Sequence, residues 1–165
     1  MTVYHEFFKV QTDPWPAFYD VTEQVKAIVS RSGVKEGIAV VFSQHTTCSV
    51  MIQEESHDTT LSGMKFLLQD LLNVFDDLIP VCKHEGQYLH PGSMHVQYAV
   101  EQLGESAAWA LNTDAHLRSS LMGRSETIPI LASNLELGQF GQVYFIDFDG
   151  VRLRERTVRV QIIGE

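Results

Sequence analysis

The clearest periodicity in the chain lies at residues 58–75. There Leu61, Met64, Leu67, Leu68, Leu71, Leu72 and Phe75 recur at helical spacing and predict a helix with a buried face. A shorter helix is predicted over about 21–32: Val21, Val25, Ile28 and Val29 form its apolar stripe, Asp20 with Glu23 resembles a capping box, and Gly33 ends it. A third is predicted from about Ser106 to Met122, where Trp109, Ala110, Leu117 and Leu121 keep the spacing and Gly123 supplies a C-terminal cap. The remaining apolar runs have strand length: Val3 to Val10 up to the turn Asp13-Pro14-Trp15-Pro16, Gly37 to Phe42, Cys48 to Gln53, Thr127 to Leu131, Gln142 to Phe148, and Thr157 to Ile163. Asp149-Gly150 predicts a hairpin between the last two. Residues 83–104 carry few periodic cues and read as a loop with a short helix near Val96 to Leu103. Strands, helix, strands, helix and a terminal meander make an α+β chain with mostly antiparallel sheet.

At 165 residues the chain is expected to form one domain, residues 1–165, with 44 % hydrophobic and 20 % charged residues in ordinary globular proportion. No apolar stretch has membrane-spanning length and no leader pattern opens the sequence, so a cytoplasmic protein with no membrane partner is expected. Cys48 and Cys82 make neither a disulfide framework nor a C-x-x-C knuckle and are expected to be reduced. A formal charge of −9 argues against a nucleic-acid surface, which needs clustered Lys and Arg. An anionic substrate must therefore be held by local groups.

Those groups concentrate in the third helix, where Asn112, His116 and Ser120 fall four residues apart on one face. The plain alternative is a helix whose histidine bonds a neighbouring carbonyl. Three histidines, His45, His90 and His116, sit where the chain bends or where polar partners cluster, and three neutral imidazoles with an open fourth position suit zinc. Glu54 at a strand end is either a general base or carboxylate ligand, or a solvated terminus. Arg152, Arg154 and Arg156 alternate along a strand, as an anion cradle or as a charged edge, and Arg118, Ser119 and Ser120 are further donors for a phosphate. No phosphate-binding glycine loop, dinucleotide fingerprint, nucleophile elbow or kinase signature is present.

Taken in order, His45-Thr46-Thr47 with Glu54 downstream, Tyr88-Leu89-His90, Asn112 through His116, Ser119-Ser120-Leu121-Met122-Gly123, Ile128-Pro129-Ile130, Leu137-Gly138 and the closing Arg154 to Glu165 resemble the YjbQ family. That family is described as secondary thiamine-phosphate synthases. The resemblance implies an α+β β-sandwich with two main helices, assembled as a homotrimer. It implies a divalent-metal site at His45, His90 and His116, with zinc as the metal that imidazoles prefer and magnesium as the one a diphosphate prefers. Asn112 and Glu54 match the family's asparagine and glutamate. The implied reaction is a transferase reaction that joins a hydroxymethylpyrimidine diphosphate to a thiazole phosphate. Glu54, Asn112 and Arg118 would be catalytic, and Ser119, Ser120, Phe140 and Arg154 would contact the small-molecule substrate. The alternatives are a metal-dependent hydrolase of a small phosphorylated or acyl substrate, and a non-catalytic trimer that binds a metabolite. The chain departs from the family at Gly138-Gln139-Phe140-Gly141-Gln142, where the usual glutamine is displaced, and in a longer stretch at about Met94 to Ala108.

Overall fold

Two antiparallel sheets packed face to face carry the fold in the computed structural model, which describes all residues, 1–165. The larger sheet has the order β1-β8-β3-β5-β6, with β1 Thr2–Thr12, β3 Gly37–Ser43, β5 Ser125–Leu131, β6 Asn134–Leu135 and β8 Arg154–Gly164. The smaller has the order β2-β7-β4, with β2 Ala17–Asp20, β4 Cys48–Glu54 and β7 Gly141–Asp147. The helices are α1 Thr22–Ser32, α2 Phe66–Leu78, α3 Ser93–Leu103 and α4 Thr113–Met122.

Alternation explains the layers. In β8, Val158, Val160 and Ile162 are buried while Arg159 and Gln161 face solvent. The inward residues meet Ala39 and Val41 of β3, Cys48 and Val50 of β4, and Val143 and Phe145 of β7 in one core, which α1 closes with Val25, Ile28 and Val29. The opposite face of the small sheet, through Met51, Tyr144 and Ile146, packs under α2 and α4 at Leu68, Phe75 and Ala115. Being covered on both faces is why β7 reads as a nearly continuous apolar run. No helix is long and apolar enough to cross a membrane.

Several expectations about the elements are corrected. The helix expected from Ser106 to Met122 is broken: Ala107–Ala110 is a single 3-10 turn, and Asn112, at φ −134°, stands outside α4 as its N-cap. The helix expected from Asp58 begins at Phe66, because residues 59–65 fold back in a tight turn closed by the Thr59–Lys65 bridge around Gly63, at φ +86°. The short helix expected near Val96 to Leu103 is α3, which begins three residues earlier, at Ser93. Asp149-Gly150 makes no hairpin. β7 and β8 belong to different sheets, and the turn carries the chain from one to the other. Residues 17–20, unassigned from the sequence, form edge strand β2 against β7.

Candidate functional site

Where the inter-sheet core ends, the inward face of β8 changes from Val158 to Arg156 and Arg154. Charges buried at the end of an apolar sandwich need partners, and β7 and its following turn supply them. Asp147 is wholly buried and accepts from Arg156 Nε at 2.7 Å, Arg156 NH2 at 3.1 Å and Thr12 Oγ1 at 2.9 Å. Asp149, also buried, pairs with Arg154 NH2 at 2.8 Å and accepts from Asn112 Nδ2 at 3.4 Å. Arg156 NH2 also donates to Thr47 Oγ1 at 3.0 Å. Two guanidiniums and two carboxylates thus form a floor without net charge, in which Arg154 Nε has no hydrogen-bond partner.

Above this floor lies a cleft of about 420 Å³. The β3–β4 turn brings His45 and Thr46, α4 brings His116 with Asn112 just before it, and α3 with the 3-10 turn brings His95, Tyr98, Leu103 and Trp109. The Arg152 guanidinium lies 4.0 Å from the Trp109 ring centroid and pairs with Glu105, tying this wall to the β8 side. His90 adjoins the cleft, its ring 4.6 Å from that of His95 and 5.7 Å from that of His116, centroid to centroid.

Hydrogen bonds fix two of the imidazoles. His45 Nε2 accepts from the Thr157 backbone N–H at 3.0 Å, and His45 N donates to Ser43 Oγ at 3.2 Å. Thr113 Oγ1 gives its proton to the His90 carbonyl, so it must accept from His90 Nδ1, 2.9 Å away, which leaves the His90 lone pair on Nε2. Burial lowers the pKa of all three histidines. The Arg156 guanidinium adds to the effect at His45, and His95 and His116 add to it at His90. At His116 the Thr46 backbone and the Asp149 carboxylate pull the other way without reversing it. All three rings are therefore neutral at pH 7.

Of the residues singled out from the sequence, His45, Asn112, His116, Arg154 and Arg156 line the cleft, His90 adjoins it, and Arg152 borders it through Trp109. The others lie elsewhere. Glu54 is exposed at the far end of β4, roughly 20 Å along the strand from Cys48. Phe140 is 53 % exposed beside that end, its carbonyl accepting from Glu55 N. Ser120 is exposed and donates to the His116 carbonyl of its own helix. Ser119 is buried and ties α4 to β4 through Cys48 O at 2.6 Å. Arg118 is fully buried on the other side of α4, donating to Ile79 O at 2.7 Å and pairing with Asp76 at 2.8 Å. Position four or eight residues along a helix does not tell which side of it the cleft occupies.

The residues do not fit the implied three-histidine metal centre. The imidazoles that do lie together are His90, His95 and His116, at 4.6 Å and 5.7 Å from His90 centroid to centroid, so His95 stands where His45 was expected. The one lone pair of neutral His45 is spent on Thr157 N–H. Nor does the floor offer magnesium free carboxylates, because Asp147 and Asp149 are committed to Arg156 and Arg154. Residues that the sequence did not point to are Asp147, Asp149, Tyr98, Trp109 and Thr157. A carboxylate pair closing the apolar β7 run is the available signal, but in the sequence Asp147 reads as a strand residue and Asp149, with Gly150, as a turn.

The family model described as UPF0047 protein YjbQ-like matches residues 6–165. A UPF0047 protein of Methanocaldococcus jannaschii is 30 % identical over 158 residues, covering 96 % of this chain and 93 % of its own. One from Methanothermobacter thermautotrophicus is 28 % identical over 165 residues, covering 100 % and 95 %. Among solved structures, an uncharacterised YjbQ/UPF0047 protein of Clostridium acetobutylicum superposes with a TM-score of 0.72 at 30 % identity, covering 96 % of this chain and 99 % of that one. A YbjQ-like protein of unknown function from Sulfolobus solfataricus gives a TM-score of 0.75 over 99 % of both chains at 24 % identity, a likeness of fold.

Proposed function

The chain belongs to the UPF0047 YjbQ-like family, and from that membership and the cleft we propose that it is an enzyme for small phosphorylated ring compounds. The reaction we assign first is the thiamine-phosphate synthase type of transfer. In it the thiazole nitrogen attacks the pyrimidine methylene, the carbon–oxygen bond breaks, and its electron pair leaves with diphosphate. One observation carries the reading: a single cleft gathers Arg154, whose side chain is 21 % exposed, the neutral His116, and a wall of Trp109 and Tyr98. A guanidinium suits a phosphate oxygen, the aromatic wall suits a planar ring, and a neutral imidazole beside them serves as donor or acceptor. No step is assigned to a metal, since His45, one of the three implied ligands, spends its lone pair on Thr157 N–H.

A second reading, hydrolysis of a small phosphorylated substrate, is favoured by the neutral floor. The Asp147–Arg156 and Asp149–Arg154 pairs leave little net positive charge to stabilise a departing diphosphate, whereas neutral His116 is suited to deprotonating water. Steady-state assays of both reactions, with His116→Gln and Arg154→Gln beside the parent chain, test the proposal. Loss of one activity by a factor of about 10²–10⁴ in His116→Gln supports the corresponding reading. Turnover that both variants retain in full refutes the assignment of the cleft.

A further inference from the structure

His45 stands at the seam between the sheets with one ring nitrogen already assigned. Ser43 opposite Val158 is the last residue pair of β3 and β8, so Thr157 lies one residue beyond the cover of β3, and the imidazole replaces the missing strand as acceptor for its N–H. A backbone N–H only donates, so Nε2 holds the lone pair and Nδ1 holds the proton. His90 has the opposite tautomer, with its lone pair on Nε2 and its Nδ1–H fixed on Thr113. The two rings that the sequence grouped as equivalent ligands therefore present opposite polarity, and only His90 keeps a lone pair free.

Nδ1–H is the one polar ring atom that His45 has left, and the ring stands beside two arginines paired with Asp147 and Asp149. His45 and Arg154 line both the main cleft and a shallow groove beside it, which Arg152 and Arg156 also border. Arg156 is consumed by Asp147 and Thr47 and is 6 % exposed, whereas Arg154 spends one NH2 on Asp149 and keeps 21 % of its side chain exposed. Since the floor carries no net charge, an anion has to be recognised by oriented donors. We propose that His45 is a fixed hydrogen-bond donor and not a metal ligand, its Nδ1–H and the Arg154 guanidinium forming a two-donor subsite for a phosphate-type oxyanion. This rests on the reading of the cleft as a site for phosphorylated compounds and assigns the group that holds the phosphate.

The test uses the full chain with ¹⁵N-labelled histidine, titrated first with inorganic phosphate and then, separately, with zinc. The expected result is a His45 ring protonated on Nδ1 at neutral pH, a saturable shift of that nitrogen with phosphate, and no shift with zinc. His45→Gln keeps an acceptor oxygen for Thr157 and an amide donor, and should bind phosphate within a few-fold of the parent. His45→Ala should bind it about tenfold more weakly, the loss of one charge-assisted bond. Zinc that moves the His45 signal and is lost from both variants overturns the proposal in favour of a ligand. Phosphate bound equally well without His45 overturns the subsite alone. A parent chain that binds neither phosphate nor pyrophosphate overturns the subsite together with the reading of the cleft. If His45→Ala does not fold, the tautomer in the parent chain and the binding of His45→Gln still decide.

Discussion

Replacing Asp147 by asparagine alters almost no volume but should be among the most damaging single changes in the chain. Both carboxylate oxygens are committed, Oδ2 to Thr12 Oγ1 and Arg156 Nε, and Oδ1 to Arg156 NH2 and the Asp149 backbone N–H. Whichever way the amide is turned, its NH2 faces groups that only donate or already donate, and Arg156 loses its countercharge in a fully buried position. Breaking a buried ion pair from one side costs about 3–5 kcal/mol. Asp149, 3.6 Å from Arg156, softens the loss towards the lower figure. For a chain of 165 residues that corresponds to a fall in Tm of roughly 6–20 °C. Urea unfolding followed by circular dichroism should show the midpoint falling with little change in slope. The double variant Asp147→Leu with Arg156→Met removes both charges and should recover much of the loss, because apolar pairs of similar size replace buried ion pairs at little cost. A loss in Asp147→Asn below about 1 kcal/mol, the worth of a solvent-exposed pair, refutes the description of this floor as a desolvated network.

Three further outcomes follow from the same packing. Arg118→Met should lose about 2–4 kcal/mol, because the bonds to Ile79 O and Asp76 are lost and buried Asp114, 3.9 Å from Arg118 NH2, is left without its countercharge. Removing two buried donors, Nε and NH1, that have no partner offsets only part of this cost, while Arg118→Ala adds a cavity and should lose more. Phosphate binding unaltered in Arg118→Met, by titration, checks that this residue stands outside the cleft. Folding stability should decline as pH falls from 7.5 to 5.5: the unfolded chain takes up protons on His45, His90 and His116 near their ordinary value of 6.5, and the folded chain, holding all three lower, does so only at more acid pH. Equal denaturation midpoints at the two pH values contradict this. Gly37→Ala should lose about 1–3 kcal/mol or more in the same assay, since its Cβ would sit 2.2 Å from the Ile163 carbonyl oxygen, where both strands are backbone and neither can yield.

Elements that bury one face at a regular period were legible, and features chosen by packing against distant segments were not. α1 could be read from Val25, Ile28 and Val29, and β8 from its alternation, because each buries one face. Asp149-Gly150 misled because the same dipeptide serves a hairpin or a crossing between sheets, and the choice is made by β8 pairing with β1 and β3. His45, Asn112, His116 and Arg154 were found because polar side chains interrupt apolar patterns there. Arg118 interrupts its pattern equally but turns inward beneath α2, to Asp76 and Ile79, which lie about forty residues away along the chain. The tautomers of His45 and His90 had no signal in the sequence, since they are set by Thr157 N–H and Thr113 Oγ1.

The most direct test of the cleft uses Trp109, one of only two tryptophans, as its own reporter. In a Trp15→Phe chain, the fluorescence of Trp109 is followed as a thiazole monophosphate is added, with and without Arg154→Gln. A saturable change that inorganic phosphate competes away, and that Arg154→Gln weakens at least tenfold, is the result predicted for a phosphorylated ring held between Trp109 and Arg154. No change on addition, or a change that Arg154→Gln leaves untouched, contradicts it.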